Sequence, residues 1–344
     1  MHARTHASHT LPRVVAASPR CSLPGFVLLA VPTIGESMII LSGGTGTPKL
    51  LPGLVKVFKN EPLTIIVNTA EDLWISGNLL SPDIDSVLYT LAGMINKETW
   101  WGVQNDSFHT HTTLARLQQP EGLMIGDKDR ATHILRSELL RQGKSLTEAT
   151  AALARSFGIP ARITILPMTD EPAAVRTMIQ TPEGELHFQE FWVARKGAPD
   201  VLNVYFEGIA TARPSAAVVA ALEQKAEPLV LIGPSNPITS IGPILALNGV
   251  RDLLKWKLVV AISPIIGTAA VSGPAGKFMR AKGFEVSPHG VYDCYKEFLD
   301  TLIIHQSDDC QTEPGVEVLK TDIMLRKERD SRRLAAFIQN LVLQ

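Results

Sequence analysis

MIILSGGTGTPKLLPGL, running from Met38 to Leu54, decides how the rest of the chain is read. Its apolar opening, residues 38–41, passes directly into Ser42-Gly43-Gly44-Thr45-Gly46-Thr47-Pro48-Lys49. Apolar residues then recur at Leu50, Leu51, Leu54, Val55 and Phe58. The pattern predicts a buried strand, a glycine turn and an amphipathic helix. Backbone N–H groups left unpaired at the positive end of a helix dipole are suited to a phosphate. The competing reading is a structural turn in which glycine serves only to reach φ > 0.

Two familiar phosphate loops are excluded. A Walker loop needs a glycine directly before Lys-Ser or Lys-Thr, but Pro48 precedes Lys49 and Leu50 follows it. The dinucleotide fingerprint needs a third glycine where Lys49 stands. Pro48 itself suits a first helical turn, where its missing N–H is not needed.

Working outward, residues 63–67 form a second strand ending at Asn68. The loop TAEDLWISGNLLSPDID follows and carries Glu71, Asp72, Asp83 and Asp85 with no basic residue. Ligands gather on long loops after the carboxyl ends of sheet strands. Carboxylates crowded in this way repel one another and call for a cation. Mg²⁺, held by one or two carboxylates and substrate phosphates, fits that need. The plainer alternative is that Asp83 or Asp85 caps a helix beginning at Ser86.

Helical patterns cover residues 86–94 and 131–142, and Ser145-Leu146-Thr147-Glu148 is a capping box opening a helix through Ser156. Short strands are expected at residues 163–166, 177–180, 186–193 and 202–206, which suggests a mixed α+β insertion at roughly 100–210. Strand-to-glycine-loop rhythm then returns. Residues 229–232 lead into Gly233-Pro234-Ser235-Asn236-Pro237-Ile238-Thr239-Ser240, and residues 258–262 into Ser263-Pro264-Ile265-Ile266-Gly267. Strands near residues 301–304 and 316–319 and an amphipathic helix at 327–343 close the chain. The fold class is α/β, with a Rossmann-like, mostly parallel sheet (core 38–99 and 211–344) and helices on both faces.

Composition narrows the function. The 344 residues are 45% hydrophobic and 19% charged, with a net charge of −1, enough for a large core and without a basic tract for nucleic acid. Cys21, Cys294 and Cys310 are too few and scattered for a disulfide framework or zinc knuckle. No apolar run approaches the ~18 residues of a membrane span. Residues 1–37 differ in character and read as a disordered extension lying upstream of a start at Met38, which implies a cytoplasmic protein.

Further candidates follow from residue type. In Gly126-Asp127-Lys128-Asp129-Arg130-Ala131-Thr132-His133, Lys128 and Arg130 suit a phosphate and His133 could orient a substrate group; surface salt bridges explain the segment equally well. Ser235, Asn236, Thr239, Ser240 and Ser263 suit a nucleotide's phosphates, ribose and base edge. His109 and His111, two apart, do not share a helix face and read as surface residues. Trp100, Trp101 and Phe108 read as packing.

LSGGTGTPKLL, VNTAEDLWISGNLLSPDIDSVLYTL, WWGVQNDSF, GDKDRATHILR, LPMTDEP, HFQEFWV, IGPSNPITSIGPIL and VAISPIIGTAAVSGPAGK occur in this order between Met38 and Lys277. Together they resemble the 2-phospho-L-lactate transferases of coenzyme F420 biosynthesis, in particular the archaeal branch. The resemblance implies transfer of a phospholactyl group from lactyl-2-diphosphoguanosine to the ribityl hydroxyl of a deazaflavin (Fo), with release of GMP and with Mg²⁺ present. It also implies a homodimer. By this likeness Asp72, Asp83 and Asp85 hold Mg²⁺ or orient the hydroxyl. Lys128 and Arg130 stabilise phosphates, and Ser42, Gly43, Gly44, Thr45, Gly46 and Thr47, with Asn68, His133 and residues 235–240, surround the substrates. On that reading Asp85→Asn costs catalysis more than folding. The rival is a gluconeogenesis-factor-like protein that shares the glycine loop and binds a UDP-sugar as a regulator, without turnover. A nicotinamide dehydrogenase is weakened by the missing third glycine.

Overall fold

The computed structural model describes residues 37–224 and 228–342, so the expectation for the N-terminal extension falls, apart from Ser37, outside the described residues. Its frame is a seven-stranded parallel sheet. In chain order the strands are β1 (Met38–Ser42), β2 (Leu63–Val67), β3 (Ile163–Pro167), β4 (Leu229–Ile232), β5 (Leu258–Ile262), β6 (Thr301–His305) and β7 (Glu317–Thr321). They lie in the order β7-β6-β5-β4-β1-β2-β3. The chain builds outward from β1 through β2 to β3, then returns to β4 on the other side of β1. Strand order therefore reverses between β1 and β4, and the crevice beyond their carboxyl ends is where such sheets bind ligands.

Both faces of the sheet are covered along its inner strands, which explains their apolar runs, while the edge strand β7 carries exposed Glu317 and Lys320. Ile39 and Leu41 of β1 point into one core and Met38 and Ile40 into the other, following the period-two alternation of a strand. Helix α1 (Gly46–Val57) lays Leu50, Leu51 and Leu54 on the second of these cores. At Gly53 it meets the last helix, Glu328–Val342, so closely that a Cβ would stand 2.1 Å from the Ser331 carbonyl oxygen.

Three sequence expectations shift. The strand at 163–167 belongs to the main sheet, where Leu63 to Val67 pair in register with Ile163 to Pro167, rather than to an insertion. What stands apart is a three-stranded antiparallel sheet of Arg176–Thr181, Gly184–His187 and Asn203–Glu207. The strand expected at 186–193 stops at His187, and a π-helical turn, Glu190–Ala194, takes over. Helix α2 (Pro82–Leu91) begins four residues earlier than expected, with Pro82 in its first turn and Ser81 at its N-cap. Asp83 and Asp85 therefore lie inside the first turns and neither is the cap. The capping box of Ser145 and Glu148 forms with both reciprocal hydrogen bonds.

Candidate active site

A cavity of about 360 Å³ opens at the carboxyl edge of the sheet, beside the crevice between β1 and β4. Its floor is the loop after β1. None of Gly43, Gly44 and Gly46 has positive φ, so the glycines are not there for left-handed backbone. They are there for close approach. A Cβ on Gly43 would stand 2.3 Å from Ser240 Cβ, one on Gly44 2.2 Å from Asp83 Oδ1, and one on Gly46 1.9 Å from the Pro234 carbonyl oxygen.

Ser235 locks the loops after β1 and β4 together. Its hydroxyl accepts hydrogen bonds from the backbone N–H of Gly43 (3.3 Å) and Thr47 (3.1 Å) and shares one with Thr47 Oγ1 (2.7 Å). Gly44, Thr45 and Gly46 line the cavity, while Ser42, Gly43 and Thr47 are held behind them. Thr45, the N-cap residue of α1, makes no capping hydrogen bond of its own, and the Ser235 hydroxyl supplies one to the Thr47 N–H instead. Asn236, Thr239 and Ser240 also line the cavity, and Asn236 Oδ1 shapes its own loop by accepting from the N–H of Ile238 (3.0 Å) and Thr239 (3.4 Å). The SPIIG loop is closed on itself, with the Ser263 hydroxyl donating to the Ile265 carbonyl and accepting from its N–H.

The acids divide by partner. Asp85 is gripped by Arg136, which also donates to the Leu79 carbonyl at 3.2 Å. Burial alone would raise Asp85, but Arg136 and then His133 hold it below the usual carboxylate range. Glu71, Asp72 and Asp83 have no basic partner within 4 Å among the described residues. Burial pushes Asp83 up to about 7, although the Asn68 amide donates to it at 2.9 Å. Burial, then Asp83 and Asp72, push Glu71 well up, although Gln189 donates to it. Asp72 lies behind the cavity wall, accepting from Ser81, and its buried Oδ2 has no hydrogen-bond partner.

Asp85, Asp129 and His133 each place one donor atom within 4.8 Å of the others. Burial would lower His133, but Asp129 and Asp85 carry it up to about 9. Arg136 already neutralises Asp85 there, and Tyr89 donates to Asp129 at 2.7 Å, so a divalent ion in this triad would stand beside a buried cation. Glu71 and Asp83 on the cavity wall have no cation beside them and could offer oxygen ligands to Mg²⁺, but with Asp72 they do not form a three-donor cluster within 4.8 Å among the described residues.

Lys128 and Arg130 do not line the cavity. Both sit at the start of helix α3 (Asp127–Arg141), Lys128 donating to the Asn105 carbonyl and Arg130 bridging both oxygens of Glu121 at 2.9 and 2.6 Å. His133 lies behind Asp85 rather than on the wall. Asn68 likewise supports Asp83 from behind. His109 is exposed, and His111 faces Glu121 at 3.4 Å.

Other wall residues were not singled out from sequence. Lys49 Nζ sits 5.4 Å over the Trp100 ring, and burial lowers its pKa. Trp100 and Trp101, expected only to pack, line the cavity, and the π-helical turn brings Gln189 and Trp192 to it. Arg136 carried a legible signal. Asp129, His133 and Arg136 fall at i, i+4 and i+7, one face of a helix, and that face meets Asp85.

A doubly wound sheet with an acid-walled, aromatic-lined cleft at its point of reversal is the build of a small-molecule α/β enzyme. A family model described as 2-phospho-L-lactate transferase CofD matches residues 38–339. The 2-phospho-L-lactate transferase of Methanococcoides burtonii is 52% identical, covering 88% of this chain and 99% of its own length. Those of Methanocaldococcus jannaschii and Methanopyrus kandleri are 49% and 47% identical, covering 86% and 89% of this chain and 95% and 97% of theirs. A solved UPF0052-family protein from Bacillus halodurans superposes with a TM-score of 0.58 at 17% identity, over 88% of this chain and 99% of its own, and shares the fold. The chain belongs to the 2-phospho-L-lactate transferase family, a family of transferases. No helix among the described residues is long and apolar enough to cross a membrane.

Proposed function

We propose that the chain transfers the 2-phospholactyl group of lactyl-2-diphospho-5'-guanosine to the ribityl hydroxyl of Fo, giving F420-0 and GMP in coenzyme F420 biosynthesis. The observation that carries this reading is one cavity combining a glycine-loop floor, buried acids and an aromatic wall. The hydroxyl oxygen attacks phosphorus, the bond from phosphorus to the bridging oxygen of the guanylate breaks, and GMP leaves with the electron pair. Such a reaction asks the protein mainly for in-line positioning and charge neutralisation.

Asp85, fixed by Arg136 and kept ionised, orients the attacking hydroxyl and receives its proton. Glu71 and Asp83 would hold Mg²⁺, which neutralises charge on the transferring phosphate when bound. The residues 44–46 and 235–240 surround the donor, and Trp100, Trp101 and Trp192 offer flat faces to the deazaflavin. Asn68 and His133 act from behind, Asn68 donating to Asp83 and His133 pairing with Asp85, while Asp72 accepts from Ser81. The same reading carries a homodimer, which light scattering of the purified protein measures.

Mixing the protein with Fo, the guanylated donor and Mg²⁺ and following GMP by chromatography tests the activity. Absence of GMP together with tight UDP-sugar binding would move the chain to a regulatory role. Running the lactyl, enolpyruvyl and glyceryl donors side by side identifies the acid carried.

A further inference from the structure

Lys277 closes the last of the motifs read from sequence, VAISPIIGTAAVSGPAGK, yet it is absent from the cavity wall. It lies in the short helix Ala275–Ala281, and its ammonium reaches across to the loop that follows the π-helical turn. Nζ donates to the carbonyl oxygens of Gly197 (2.7 Å), Ala198 (3.1 Å) and Pro199 (3.2 Å). A lysine has three N–H donors, and here all of them meet successive peptide groups. Carbonyl dipoles converging on one point repel one another, and a cation at their focus removes that cost.

The gathered loop has an uncommon backbone. Lys196 and Gly197 have φ of 54° and 62°, two left-handed residues in succession of which only the second is glycine. Such a conformation persists where its surroundings impose it. The Gly197 N–H returns to the Phe191 carbonyl at 2.8 Å and closes the loop onto the turn.

What rests on this loop is Trp192. Gly197 is buried against the indole, where a Cβ would stand 2.8 Å from Trp192 Cζ3 and 2.9 Å from Cε3. The ring is nonetheless 40% exposed and forms part of the cavity wall. The residue after Lys277 secures the turn from its other side. Phe278 packs on Phe188 and Phe191 with ring centroids 5.9 and 5.6 Å away. Phe278 therefore ties the turn to the core, while Lys277 shapes the platform under the exposed ring.

We propose that Lys277 is a positioning residue for the acceptor: through the carbonyls of 197–199 it fixes the Gly197 platform that holds Trp192 at the cavity wall. This rests on the transferase reading, in which a planar deazaflavin meets that ring. Lys277 touches no substrate and acts through Trp192. Lysine suits the task because its donors diverge from one point, whereas arginine presents a planar fork.

Steady-state kinetics of the full chain with Fo and the guanylated donor, followed by GMP release, test the role. Lys277→Met strips the cation from the carbonyls and is expected to raise KM for Fo at least tenfold. KM for the donor and kcat are expected to stay within threefold. Lys277→Gln keeps a donor for the loop, is expected to raise KM for Fo at least threefold, and decides the matter should Lys277→Met fail to fold by circular dichroism. In a Trp192→Ala chain either substitution is expected to change KM for Fo less than twofold further, because effects that pass through one ring do not add. A purely structural role would instead act equally with and without the indole. Folded Lys277 variants with the wild-type KM for Fo, or with the same rise in the Trp192→Ala chain, overturn the positioning role and leave the transferase reading intact. A wild type that releases no GMP from Fo and the donor overturns both.

Discussion

Arg136 grips both carboxylate oxygens of Asp85 with both side chains buried. This pair fixes the acid that faces the cavity and binds α3 to α2. It also adds a folding cost to the expectation drawn from sequence, that Asp85→Asn costs catalysis more than folding.

Asp85→Asn leaves a guanidinium buried without its counter-charge, and breaking a buried pair from one side costs about 3–5 kcal/mol. Urea unfolding is expected to show a loss of that size alongside the loss of GMP release. Adding Arg136→Met to Asp85→Asn removes the stranded charge and is expected to restore much of the stability but none of the activity. A double variant no more stable than the single one would show that Arg136 has another partner of equal weight.

Asp83→Asn is expected to behave in the opposite way. Asp83 is buried, has no basic partner, and stands near Glu71, so its charge costs the folded state free energy. The amide removes that cost. Stability without metal is expected to hold or rise slightly, while turnover falls at least a hundredfold. Saturating Mg²⁺ is expected to raise the melting temperature of the wild type, since a ligand at one hundred times its Kd stabilises by about 2.7 kcal/mol. The same Mg²⁺ should shift Asp83→Asn much less.

The contrast between Asp83 and Asp85 marks what could be read in advance. Strands such as 38–41 and 229–232 were legible because a sheet covered on both faces needs continuous apolar runs. The glycine loop was legible by composition, although its reason, close approach of Pro234 and Asp83, lies in residues far along the chain. The four acids were visible as a set, but not their division. That depends on Arg136, which sits 51 residues beyond Asp85 and is brought to it only by packing of α3. Arg130 pairs with Glu121, which is the salt-bridge alternative that the sequence left open. The π-helical turn at 190–194 was hidden because FWV reads as strand when only local preference is considered.

Glu121 supplies a pH test away from the cavity. Burial works against its charge, but hydrogen bonds from Arg130 and Ser76 hold it down at about 2. An acid held lower in the folded chain than its ordinary 4.5 contributes stability that is fully present above that value. The contribution is lost as pH falls from about 4.5 toward about 2. Glu121→Gln is therefore expected to be less stable than the wild type near neutrality, with the gap narrowing through this acid window. Denaturant melts at several pH values check it, and a gap that widens in acid would contradict the sign.

Gly44→Ala and Gly46→Ala separate chemistry from scaffold within three residues. Neither position needs left-handed backbone, so any effect comes from the added methyl group alone. At Gly44 the methyl group meets the Asp83 carboxylate, a side chain that can swing away. Turnover is expected to fall at least tenfold with a loss of stability under about 1 kcal/mol. At Gly46 it meets the Pro234 carbonyl and the Ser235 backbone, which are tied to the β1 loop through the Ser235 hydroxyl and cannot yield without opening that lock. Here overpacking of about 1–3 kcal/mol is expected to appear as lost stability, with turnover falling as well. Measuring melting temperature and GMP release on both variants decides it. Equal destabilisation by the two would mean that Asp83 is as rigidly held as the backbone, and that the acid beside the glycine loop has no freedom to adjust to a bound cation.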